Sequence, residues 1–139
     1  MAALTQSQDH SGEGYGFAPR LVLASLAVAA GGVHLAMAPL HASSSAIEAA
    51  SFAAAGWLQI LVAFAILVRP GRFVFMAAIV VHVAIIAGYI VSRSVGLPVG
   101  DHAGQAESVG GIERMVTMFQ AVLIAGAAVR LTWPRLGAT

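Results

Sequence analysis

The residues in this sequence with the clearest chemical potential are histidines. Two of them, His34 and His41, stand seven positions apart in the segment HLAMAPLH. Seven residues are close to two helical turns, so both imidazoles would share a helix face if one helix ran through both. Pro39 opposes this continuity, because proline kinks or ends a helix, and His41 would then lie in a cap or loop. Met37 lies one turn from His34 and adds a thioether.

Two imidazoles and a thioether predict a transition-metal site. Imidazole with thioether favours copper, whereas histidine with carboxylate favours zinc, which takes four ligands. Neighbouring loops and helix ends offer further ligands, namely Glu48, His102, Glu107 and Glu113. The alternative is that His34 and His41 lie at a membrane interface and bind only a carbonyl or water. Glu48 also has a structural explanation, because Ser45 to Glu48 matches the S-x-x-E capping box.

His82 differs from the other histidines because it lies near the middle of an apolar run, about 15 Å from either end at roughly 1.5 Å per residue. A polar group at that depth is a functional candidate. It predicts a cofactor ligand or proton relay, with haem b as the cofactor. The structural alternative is a buried hydrogen-bond network of His82 with Gln59 and Gln120, which fall at similar depths.

The amino-acid composition predicts the kind of structure that positions these residues. Of 139 residues, 59% are hydrophobic and 9% are charged, which is typical of a membrane protein. Three runs of 18 to 20 residues without Asp, Glu, Lys or Arg are long enough to cross a bilayer, and a fourth run, at 115–129, is shorter. We expect an all-α, polytopic, antiparallel bundle of four transmembrane helices at about residues 20–38, 46–68, 73–93 and 110–131. Residues 1–19 are expected to form a disordered polar tail and residues 133–139 a short cytoplasmic tail, flanking a domain at 20–132.

The arginines predict the orientation. With four spans both termini share a side, and that side would also hold the second loop. Five of the seven arginines fall there, and the positive-inside rule assigns this face to the cytoplasm. The expected location is therefore a bacterial plasma membrane, multi-pass. The candidate metal ligands would face outward, and the long loop between the third and fourth helices is expected to cover them as a lid.

Other features exclude function classes. The basic residues form no cluster along the sequence, so a nucleic-acid partner is not expected. No cysteine is present for iron–sulfur or thiolate chemistry. No phosphate-binding loop, zinc-protease helix or supported catalytic triad occurs, so hydrolysis is not expected and the question of enzymatic activity stays open.

The segments HLAMAPLH, FAAAGWLQ and SVGLPVG together resemble small four-helix bacterial integral membrane proteins of uncharacterised function. The resemblance spans about residues 20–131 and implies the fold but assigns no residue a role. The expected function is outward-facing metal binding, in metal handling or as an accessory subunit of a membrane complex. The alternatives are a haem b redox subunit using His82 and a purely structural small subunit. Expected partners are the lipid bilayer and other membrane subunits or further copies of the chain.

Overall fold

The computed structural model describes residues 16–43, 45–99 and 103–132. These ranges hold four helices and no strand: α1 (Phe17–His41), α2 (Ala46–Val68), α3 (Arg72–Ser94) and α4 (Gly111–Thr132). Each helix is long and apolar enough to cross a membrane. The all-α class and the four predicted helices are confirmed. The two expected tails lie outside the described residues, except for the start of α1.

The four helices form a ring in which each packs against two neighbours. Contacts join α1 to α2, α2 to α3, α3 to α4 and α4 to α1, and the α1–α2 pair is the most extensive. No such contact joins α1 to α3 or α2 to α4, so these helices face each other diagonally. We name the end where α1 and α3 finish the site end, and the opposite end the terminal end.

Local sequence explains the helix limits. The Ser45 hydroxyl accepts a hydrogen bond from the Glu48 backbone N–H at 3.4 Å, which satisfies a free donor at the start of α2. This is one half of the predicted capping box. Helix α1 differs from expectation, because it continues through Pro39 to His41. A proline in the last turn removes only one hydrogen bond of the helix, so the helix can continue for two more residues.

The hydrophobic core lies in the half of the bundle toward the terminal end. There, ten buried apolar residues from all four helices pack together, and we refer to them as the plug: Leu23, Ala24, Ala27, Val62, Ala63, Ile66, Phe75, Ala78, Leu123 and Ala127. Phe75, Ile66 and Leu123 are its largest members and are almost fully buried. The plug fills the space between the helices at this level.

Small residues set the close approach of α1 and α2. A Cβ atom added at Gly31 would lie 2.8 Å from the Gly56 carbonyl oxygen, and one added at Gly56 would lie 2.6 Å from Leu35 Cγ. Any side chain at either position would force the two backbones apart. Small residues commonly permit such contact between membrane helices.

Candidate ligand cavity

A cavity of about 530 Å³ opens between the helices at the site end. Most of its wall is apolar and is built from Val33, Phe52, Ile85, Ile86, Tyr89 and Val116. Polar side chains line the remainder. Five residues predicted as metal ligands line this one cavity, namely His34, Met37, Glu48, Glu107 and Glu113. The size and the apolar wall with few polar groups are typical of small-molecule sites.

His34 presents one free ring nitrogen. Its Nδ1 lies 2.8 Å from the Ala30 carbonyl oxygen, which can only accept, so Nδ1 carries the hydrogen. In the neutral ring Nε2 is then an acceptor on the edge facing away from the backbone of α1. No residue in the described ranges bonds to Nε2, so it can receive a donor or bind a metal ion.

His41 is oriented by the same kind of bond but lies outside the cavity. Its Nδ1 lies 3.0 Å from the Met37 carbonyl oxygen. Its ring stacks on Phe52 with centroids 4.4 Å apart, while the His34 ring lies 5.9 Å from Phe52. Seven residues rise about 10.5 Å along a helix, so these distances put Phe52 between the two imidazoles. The structure therefore does not bring His34 and His41 to a shared point.

Glu48 is the most unusual polar residue of the cavity. It is 8% exposed, and it lines the wall beside α1. Within the described ranges, no hydrogen bond or ion pair reaches its carboxylate, although its backbone N–H bonds to Ser45. Its carboxylate oxygens are not among the fully enclosed polar atoms that lack a partner, so they open to the cavity. A cation or hydrogen-bond donor that enters the cavity can therefore pair with Glu48.

The other two glutamates already have a partner. Arg93, at the end of α3, pairs with Glu107 of the long loop and with Glu113 of α4, the latter at 2.6 Å. Glu113 also accepts a hydrogen bond from the Gly110 backbone N–H at the start of α4. These bonds use the carboxylates that were predicted as metal ligands. No local pattern indicates this cluster, because Arg93 lies 14 and 20 residues from its two partners along the chain.

The described parts of the long loop border the cavity, and we refer to them as its roof. Leu97, Val99 and Glu107 line the cavity from the loop. The Glu107 N–H donates to the Ser92 carbonyl oxygen at 3.0 Å, which ties the loop back to α3. Gly96 has a φ of 79° and sits against the backbone of Gln105, so a side chain there would be both strained and blocked. His102, a further predicted ligand, lies outside the described residues.

His82 lies deeper, toward the bundle centre. It is fully buried, and its Nδ1 lies 2.7 Å from the Ala78 carbonyl oxygen. The predicted network with Gln59 and Gln120 does not form, because His82 Nε2, both amide atoms of Gln59 and Gln120 Oε1 have no hydrogen-bond partner. Gln120 also lines the cavity, which the sequence did not indicate.

In the described parts of the chain, no three histidine, aspartate or glutamate side chains lie close enough to hold a metal ion. Three groups of the cavity without a protein partner are electron-pair donors, namely the Glu48 carboxylate, His34 Nε2 and Gln120 Oε1, whereas Arg93 Nε is a hydrogen-bond donor without a partner. A ligand that satisfies the first three must bring hydrogen-bond donors or positive charge.

The fold and this site define a class: a four-helix bundle with membrane-length apolar helices and a roofed cavity at one end. Searches of family models, curated proteins and solved structures find no match to this chain.

Proposed function

We propose that the protein is a multi-pass plasma-membrane protein that binds a small amphipathic molecule in the cavity at the site end. The ligand has an apolar body and an amine or hydroxyl head. The positive-inside distribution of arginines supports an outward-facing cavity and cytoplasmic termini. Membrane insertion is supported by four helices of sufficient length and hydropathy.

The observation that carries the proposal is the Glu48 carboxylate, which has no protein partner among the described residues and opens to a mostly apolar cavity. An ammonium or hydroxyl group would pair with it and with His34 Nε2. The apolar wall would contact the remainder of the ligand. Removing one partner of a buried charge pair costs about 2 kcal/mol or more, roughly 30-fold in affinity.

Three probes of equal chain length test this head-group preference: octylamine, 1-octanol and octanoic acid. Their dissociation constants are measured on the full chain in lipid nanodiscs, with partition into empty nanodiscs subtracted. We expect octylamine to bind at least tenfold more tightly than octanoic acid, because the acid puts a carboxylate against Glu48. Glu48→Gln should weaken octylamine roughly 30-fold and octanol less. Equal affinity for amine and acid would rule out the proposed head group.

The two histidines supply a matched control. Both donate Nδ1–H to the carbonyl four residues earlier, but only His34 lines the cavity. His34→Ala should weaken octylamine binding several-fold, whereas His41→Ala should change it less than twofold. If both variants lost affinity equally, a general disturbance of α1 would be the better explanation.

A second candidate function is transition-metal binding by His34, Met37 and Glu48. It is favoured by a specific observation, namely that imidazole, thioether and carboxylate line one cavity from the adjacent helices α1 and α2. The hydrogen bond from His34 Nδ1 to a backbone carbonyl also orients Nε2 as in metal-bound histidines. Metal handling or an accessory role in a membrane complex would follow.

Metal content separates the two candidates. The purified protein is loaded with Cu(I) or Zn²⁺, washed and analysed for bound metal. A metal site predicts near-stoichiometric content that is lost in His34→Ala and in Glu48→Gln but kept in His41→Ala. Equal content in wild type and all three variants would exclude this site.

A further inference from the structure

Three polar side chains form a layer beneath the cavity, which we name the interior polar layer: Gln59 of α2, His82 of α3 and Gln120 of α4. Gln59 and His82 are 0% exposed and Gln120 is 2% exposed. Four of their polar atoms have no partner: Gln59 Nε2 and Oε1, His82 Nε2 and Gln120 Oε1. Buried polar groups are rarely left unsatisfied, so each such atom indicates a further binding partner.

The three side chains lie at neighbouring levels of the bundle interior. Counted from the helix ends at the site end at about 1.5 Å per residue, Gln59 and His82 lie roughly 18 to 20 Å deep and Gln120 lies about 14 Å deep. All three are buried although they come from three different helices, so they face the bundle interior together. Gln59 also lies against α1, because a Cβ atom at Gly31 would meet its Cβ at 3.2 Å.

The hydrogen-bonding roles of these four atoms determine which kind of ligand can bind to them. His82 Nε2 is an acceptor, because Nδ1 donates to Ala78. Gln59 Oε1 and Gln120 Oε1 also accept, whereas Gln59 Nε2 donates. The ligand must therefore both donate and accept hydrogen bonds. It must also be neutral, because the described acidic residues lie in the first turns of α2 and α4 or in the long loop, and an unpaired buried charge is costly.

We infer that the interior polar layer is a second binding site and that its ligand is water. Gln120 lines both the cavity and this layer, so water enters from the cavity side. The plug closes the other side. The layer is a hydrated floor of the cavity and does not continue as a path through the bundle. Internal water of this kind commonly makes about three hydrogen bonds to groups that are otherwise unsatisfied.

Water-edited NMR on the full chain in nanodiscs, with ¹⁵N-labelled glutamine and histidine side chains, tests this site. No ligand is added, so the outcome is independent of the proposed function. We expect magnetisation to pass from water to the Gln59 amide as it does to exposed Gln105 in the loop. The Trp57 indole, which is 59% exposed on the outer face of α2, controls for water penetration of the bilayer and should receive little.

A matched pair of variants completes the test. Gln120→Leu should reduce transfer to Gln59 at least twofold, whereas Gln105→Leu should leave it unchanged. Two findings together would contradict the proposal: no magnetisation passes from water to Gln59, and a scalar coupling shows a direct hydrogen bond from Gln59 to His82 or Gln120. That result would replace the water site by a direct side-chain network. Wild-type spectra alone distinguish these outcomes, so the test stands even if Gln120→Leu fails to fold.

Discussion

The two ends of the bundle are built from the same apolar helices, but the space between the helices is filled differently at each end. Toward the terminal end, Phe75, Ile66 and Leu123 fill the interior and are almost fully buried. Toward the site end, a cavity of about 530 Å³ takes that place and polar side chains line part of it. The difference indicates that stability resides mainly in the plug, which leaves the site end able to carry unpaired polar groups.

The largest expected effect is loss of packing in the plug. Phe75→Ala should destabilise the protein by about 3–5 kcal/mol and Ile66→Ala by about 2–5 kcal/mol, because each leaves an internal cavity. The matched change at the site end is Ile86→Ala, which should cost less than about 1.5 kcal/mol because Ile86 already borders an open cavity. SDS titration of the protein in mild detergent measures the free energy of unfolding. An equal loss of unfolding free energy in Ile66→Ala and Ile86→Ala would contradict the view that stability resides mainly in the plug.

The next effect is at the junction of the two ends, where α1 approaches α2. Gly31→Ala should cost about 1–3 kcal/mol, because its Cβ would meet the Gly56 carbonyl oxygen at 2.8 Å. Gly32→Ala is the control, since nothing lies within 4 Å of its added Cβ, and better helix propensity should give up to about 1 kcal/mol of stability. A shift of the unfolding free energy in the same direction for both substitutions would contradict this prediction.

A smaller and more local effect is expected for the roof of the cavity. Arg93→Met should cost about 1–2 kcal/mol, because it leaves Glu107 and Glu113 without their charged donor in a partly exposed setting. The loss should appear as faster amide hydrogen exchange at residues 103–110, with little change in the plug. Arg114→Met is the control, because Arg114 is exposed and forms no ion pair within the described ranges. Unchanged exchange in Arg93→Met would show that the roof is held by other contacts.

The smallest effect concerns the start of α2. Ser45→Ala should cost about 1 kcal/mol through loss of the cap on the Glu48 N–H. Ser51→Ala should stay within about 0.5 kcal/mol, because the exposed Ser51 hydroxyl only bonds back to Ile47 of its own helix. Unfolding titrations of the two variants side by side make this comparison. A larger loss in Ser51→Ala than in Ser45→Ala would reverse the prediction.

The sequence was sufficient for the fold because length and hydropathy determine membrane-length helices with few alternatives. It was also sufficient for the cap at Ser45, whose partner lies three residues away, and for the depth of His82. Local pattern carries these features.

The site was predicted only in part, because its decisive contacts are not local. The heptad spacing predicts that His34 and His41 share a face, but not that Phe52 of α2 separates them. Likewise, nothing near Glu107 or Glu113 indicates that Arg93 binds both. The packing of neighbouring helices fixes these pairings.

Photolabelling with an octylamine that carries a diazirine at its chain end tests the central claim most directly. After irradiation in nanodiscs, mass spectrometry locates the adducts. We expect labels on cavity residues such as Phe52, Ile86 and Val116, and we expect unlabelled octylamine to compete with them and Glu48→Gln to abolish them. Labels confined to residues on the outer surface of the bundle, such as Phe64 and Val80, and unchanged in Glu48→Gln would contradict binding in the cavity.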